Sequence, residues 1–110
     1  MMIATRVLKL KAAGGDVDVP VRIFAPVPDD RCWKVRYAIE WPDETYESAG
    51  FGDDAVQALI LTMQKIGSEL YASDEHKSGR LGWYEPGQGY GFPLAKTVRD
   101  LAVGYDKEFG

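Results

Sequence analysis

Catalysis by a histidine-assisted nucleophile needs a base beside a Ser, Cys or Thr, with a third group to orient it. The 110-residue sequence holds one histidine, His76, and it lies in the polar run SDEHKSGR, where it reads as a solvated loop residue rather than a base. A metal centre needs several His, Cys or carboxylate ligands at workable spacing. Asp74-Glu75-His76 does not offer that spacing, and the single cysteine, Cys32, excludes both an internal disulfide and a cysteine cluster. The carboxylate pairs Asp43-Glu44, Asp53-Asp54 and Asp74-Glu75 are neighbours in turns and at a helix start, whereas acid/base chemistry needs convergence in a pocket. No catalytic residue, no metal site and no cofactor is assigned from the sequence.

Binding chemistry has three candidates. Gly87-Gln88-Gly89-Tyr90-Gly91 could bring backbone amides close to an anion, although it matches neither the phosphate-loop nor the dinucleotide-binding pattern. A structural turn is the plainer reading of it. Trp83, Tyr84, Tyr90 and Phe92 cluster around that loop, as interface anchors or as core beneath it. Arg22, Lys34 and Arg36 fall on the outward positions of two expected strands and would concentrate positive charge there, on a solvated sheet face or against an anionic partner.

These residues must be positioned by an α+β scaffold. The segment GDDAVQALILTMQKIGSELYAS, Gly52 to Ser73, predicts a long amphipathic helix whose inner stripe is Val56, Leu59, Ile60, Met63, Ile66 and Leu70. Gly52, Asp53 and Asp54 are all plausible N-caps: Asp54 with Gln57 has capping-box spacing, and Phe51 with Val56 would form a hydrophobic staple if Gly52 is the cap. Gly67 suggests a close backbone approach. Leu61 projects to the far side with Gln57, Lys65 and Ser68, a lone exposed leucine or a contact for a partner.

Strands are expected at residues 3–11, 17–24, 32–41 and 45–49, with a fifth short one at 81–84. Val7-Leu8 breaks strict alternation in the first, and Pro20 requires either an edge position or pairing that begins near Val21. In the third, Trp33, Val35, Tyr37, Ile39 and Trp41 share the core face. Residues 26–31 and 73–82 read as loops, the latter mobile. Pro93 starts a second helix with Leu94, Val98, Leu101 and Ala102 on one face and Gly104 at its end, and the tail YDKEFG is expected to fray. The prediction is an antiparallel meander sheet of four to five strands, the long helix on one face, and a shorter C-terminal helix.

Length fits one domain, residues 1–110, and 45% hydrophobic with 27% charged residues is ordinary globular composition. No window approaches a membrane span, and the N-terminal residues lack a signal-peptide core, so a cytoplasmic protein with no membrane partner is expected. The net charge of −4 argues against nucleic acid.

PVRIFAPVPD (Pro20 to Asp29), WKVRYAIE, GFGDDAVQALILTMQKI and the GFP of Gly91 to Pro93 resemble a family of small bacterial domains of unknown function, over roughly Ile3 to Leu94. The resemblance implies an α+β bacterial domain and carries no catalytic residues with it. The leading expectation is a non-enzymatic protein-interaction module, akin to the immunity proteins that neutralise a bacterial toxin, acting through a protein partner or self-association. The alternative is a sensor or enzyme for a small anionic ligand, using the open sheet face and the GQGYGF loop. Candidate binding residues are Arg22, Lys34, Arg36, Trp83, Tyr84, Tyr90 and Leu61.

Overall fold

The computed structural model describes residues 1–96, 99–104 and 106–107. It has six strands in antiparallel sheet pairing: β1 (Met2–Ala12), β2 (Gly15–Phe24), β3 (Val27–Asp29), β4 (Cys32–Glu40), β5 (Thr45–Gly52) and β6 (Leu81–Gly82). The α-helices α1 (Ala55–Ala72) and the one-turn α2 (Asp74–Lys77) and a 3-10 turn at Arg99–Leu101 accompany the strands, and the fold is α+β. The residues divide into two compact units, Met1–Val7 with Val19–Thr62, and Leu8–Asp18 with Met63–Gly110.

In the first unit β4 is the central strand. β5 pairs along the whole of one edge, from Trp33↔Gly52 to Glu40↔Thr45. The other edge is shared by β2, through Val21↔Ile39 to Ile23↔Tyr37, and by β3, through Val27↔Lys34 to Asp29↔Cys32. Ala25 and Pro26 interrupt what would otherwise be one strand, so the expected loop at 26–31 is instead a three-residue strand and a tight turn with Asp30 at φ +56°. Pro20 stands just before the first residue paired with β4, where its missing N–H costs that ladder nothing.

Directly opposed residues of an antiparallel pair share a face, so the register sorts the side chains. Val35, Tyr37, Ile39, Val21 and Ile23 point inward and are buried. On β5 the inward positions opposite Trp33 and Val35 are Gly52 and Gly50. A Cβ at Gly50 would lie 2.2 Å from Thr62 Oγ1 and 2.9 Å from Thr62 Cα, and one at Gly52 would lie 2.4 Å from the Ala58 amide nitrogen. These two glycines seat the first half of α1 directly on the inner face of the sheet.

The helix start is fixed by Asp54. Its Oδ1 accepts the Gln57 amide at 2.7 Å, while Gln57 Oε1 accepts the Asp53 amide at 2.6 Å, a capping box with its return bond displaced by one residue. The staple is not formed: Val56 is 65% exposed and Phe51 48%. The buried positions are Ala58 and Thr62 rather than Val56 and Ile60, because the two glycines admit small side chains at close range and turn the larger apolar ones outward. Leu61 is exposed, as its spacing predicts.

In the second unit β6 pairs with β1 through Lys9↔Gly82 and Leu10↔Leu81. Leu8 and Leu10 are buried and Val7 is exposed, so the Val7-Leu8 step keeps ordinary alternation. Gly67 on α1 faces the GFPL segment: a Cβ there would lie 2.8 Å from Leu94 Cδ2 and 3.2 Å from the Pro93 carbonyl oxygen. Pro93 to Ala95, where the C-terminal helix is expected to start, is not helical, and a 3-10 turn stands at Arg99–Leu101; Val98 lies outside the described residues. The polar run after α1 is ordered as α2, whose N-cap Ser73 accepts the His76 amide. Of the tail expected to fray, Asp106 is buried, while Tyr105 and residues 108–110 lie outside the described residues.

Candidate functional site

The outward face of the first unit can be read row by row. Opposite Lys34 stand Val27 on β3 and Phe51 on β5. Arg36 has Ala49 opposite it on β5, and its guanidinium sits over the Phe24 ring, 5.4 Å from the centroid. Ala38 lies between Arg22 and Glu47. An outward face of an antiparallel sheet is ordinarily polar, but here each of the two central cations is flanked on both strands by apolar side chains. Val27 is 45% and Phe51 48% exposed.

Arg22, Lys34 and Arg36 are therefore brought to one face as expected, but they are not equivalent. Arg22 is ion-paired with Glu40, each about one-third exposed. Arg36 is exposed and engaged only with Phe24 among its described contacts, and Lys34 is half-buried. Sequence alternation located the cations. It did not single out Phe24, Val27 and Phe51, because their placement beside the cations depends on the register of three strands.

The second unit holds the glycine loop. Gly87, Gly89 and Gly91 all have left-handed φ, at +76°, +90° and +77°. The amides of Tyr90 and Gly91 turn toward one carboxylate, that of Asp106, at 3.0 Å and 2.7 Å. The Tyr71 hydroxyl donates to Asp106 Oδ2 at 2.7 Å and accepts the Val103 amide at 3.2 Å. The loop thus binds an anion, and the anion belongs to this chain.

His76 is half-buried rather than solvated. Its Nδ1 meets the Tyr90 hydroxyl, and its ring lies 4.5 Å from that of Tyr71. Burial lowers its affinity for a proton, and the Asp106 carboxylate acts in the opposite sense. The phenols of Tyr71 and Tyr90 are pushed up, mainly by burial and further by Asp106. The group has the residue types of an acid/base relay, with the Tyr71 hydroxyl bonded to Asp106 and His76 to the Tyr90 hydroxyl. Tyr90, 1% exposed, is core and cannot be a contact for a partner.

Trp83 and Tyr84 are on the surface. Their rings are 4.6 Å apart at 30°, Tyr84 is 72% exposed, and together with Lys9, Lys11, Asp16 and Glu85 they line a shallow pocket. Lys9 is ion-paired with Asp18. The lysines escaped the sequence reading because they lie in β1, far from Trp83 in sequence, and come to it through the Lys9↔Gly82 pairing. A further exposed apolar set, Val56, Ile60 and Leu61, lies on the N-terminal half of α1. Among the described residues no group of three His, Cys, Asp or Glu side chains is placed to hold a metal ion, and no helix is long and apolar enough to cross a membrane.

Comparison with curated proteins and with solved structures gives no match. The sequence model of one family, described as Domain of unknown function (DUF6968), matches residues 4–94, well over half of the chain. The chain, an α+β fold, belongs to the DUF6968 family.

Proposed function

We propose that the protein is a non-enzymatic protein-interaction module of the bacterial cytoplasm, of the immunity-protein kind, and that it docks its partner on the outward face of β3, β4 and β5. One observation carries this reading: the rows Val27–Lys34–Phe51 and Phe24–Arg36–Ala49 set cations among apolar side chains, of which Val27 and Phe51 are exposed. Arg and aromatic residues are enriched in interface cores, where charge is otherwise depleted. The matching partner surface presents carboxylates beside one or two apolar anchors. The engagement of Tyr71 with Asp106 and of His76 with Tyr90 within the fold supports the non-enzymatic part of the reading.

The test is affinity capture with wild type and with Arg36→Glu in parallel, including the product of the neighbouring gene, followed by titration of the purified partner. A single protein bound by wild type and at least tenfold more weakly by Arg36→Glu is expected. A partner retained by Arg36→Glu but lost by Leu61→Glu would move the interface to α1, and a wild-type dimer dissolved by Leu61→Glu would replace the hetero-interaction with self-association.

The pocket beneath Trp83 and Tyr84 favours a second reading, a site for a small aromatic anion held by ring stacking and by Lys11. Benzoate shifting the Trp83 indole resonance saturably, with the effect lost in Lys11→Glu, would support it; no saturable shift would remove it.

A further inference from the structure

Three donors of the second unit converge on one buried carboxylate. The Tyr71 hydroxyl and the Tyr90 amide share Asp106 Oδ2, and the Gly91 amide takes Oδ1. Consecutive amides aimed at a single anion form a nest, and left-handed backbone at Gly89 and Gly91 produces it here. The carboxylate is closely packed in the cradle: a Cβ at Gly89 would lie 2.6 Å from the Asp106 carboxyl carbon. Both tyrosines are buried, so no donor depends on a mobile surface chain.

The donors and their occupant fall on opposite sides of the limit of the family match. Tyr71, Tyr90 and Gly91 lie within residues 4–94, the stretch that matches the family, whereas Asp106 lies outside it. We infer that the Gly87–Gly91 loop with Tyr71 is a carboxylate-binding site belonging to the family-matched segment, that Asp106 fills it in cis, and that it takes a small free carboxylate when that side chain is absent from it. With Asp106 removed, the Tyr71 hydroxyl and the Tyr90 and Gly91 amides lose the acceptor they share, which makes an incoming carboxylate favourable. The inference is independent of the sheet-face reading, since it concerns other residues and another ligand.

Thermal unfolding of Asp106→Ala in sodium formate, against sodium chloride at equal ionic strength, tests it. Formate is expected to raise the Tm of Asp106→Ala saturably by several degrees, as a ligand that binds only the folded state must. Wild type, whose site is occupied, and Asp106→Leu, whose side chain fills the space, are expected to show no such rise. An Asp106→Ala response no larger than that of wild type overturns the inference. If Asp106→Ala is unfolded in chloride, the readout is recovery of its near-ultraviolet circular dichroism on adding formate, and absence of recovery counts equally against it.

Discussion

Asp106 and Gly91 stand fifteen residues apart in sequence and 2.7 Å apart in space, the Gly91 amide donating to Asp106 Oδ1. That bond, with those from the Tyr90 amide and the Tyr71 hydroxyl, turns an open glycine loop into a filled one. Removing the carboxylate takes their shared acceptor from three donors, two of them on buried tyrosines. Asp106→Ala is accordingly expected to lower unfolding free energy by about 3 kcal/mol or more, read from urea denaturation. A loss below about 1 kcal/mol would mean that the carboxylate is not what orders the loop.

The glycines of the loop separate backbone strain from collision. Gly87 is left-handed with open space around its missing Cβ, so Gly87→Ala pays only the conformational cost, about 1–2 kcal/mol. Gly89→Ala meets the Asp106 carboxylate and the Val103 carbonyl in addition, both within 2.7 Å. Its loss of stability should clearly exceed that of Gly87→Ala in the same denaturation assay, and equal losses would show that the segment bearing Asp106 yields freely.

In the first unit the contact of Gly50 with Thr62 predicts a matched pair of results. Gly50→Ala forces a Cβ to 2.9 Å from the Thr62 Cα, which trimming the threonine side chain cannot relieve, and should cost about 2 kcal/mol or more. Thr62 Oγ1 is buried with no hydrogen-bond partner. Replacing that hydroxyl with a methyl group removes an uncompensated desolvation cost, so Thr62→Val should be neutral or stabilising by about 1 kcal/mol. A strongly destabilised Thr62→Val would reveal an acceptor for the hydroxyl.

How much of this was legible in the chain differs by element. Alternation along Trp33 to Trp41 identified the core strand, and helical spacing identified α1, because both patterns are local. The inner stripe of α1 was misplaced by about one residue pair, since Val56 and Ile60 look like core until Gly50 and Gly52 are known to face Ala58 and Thr62. The loop signal was similar. Alternating glycines announce left-handed backbone and available amides, but nothing in YDKEFG marks Asp106 as their acceptor, and the partnership exists only through tertiary contact. Lys34 and Arg36 were placed correctly, while Val27 and Phe51 joined them through cross-strand register, which sequence does not state.

Protonation of His76 supplies a pH dependence with a definite sign. Its folded-state proton affinity is below the ordinary imidazole value, chiefly through burial. The fold therefore favours the neutral ring, and the stability this contributes is present above about pH 6.5 and is lost as pH falls through the lower folded value. Tm should drop as pH falls below about 6.5, with the drop reduced in His76→Gln. An identical pH profile for His76→Gln would place the effect on another group.

The central claim, that function resides on the outward face of β3, β4 and β5, is tested most directly by titrating the captured partner against wild type, Phe51→Glu, Arg36→Glu and Leu61→Glu. The account predicts that Phe51→Glu and Arg36→Glu each weaken binding at least tenfold while keeping the wild-type Tm, and that Leu61→Glu binds as wild type does. Undiminished binding by both sheet-face variants would contradict it.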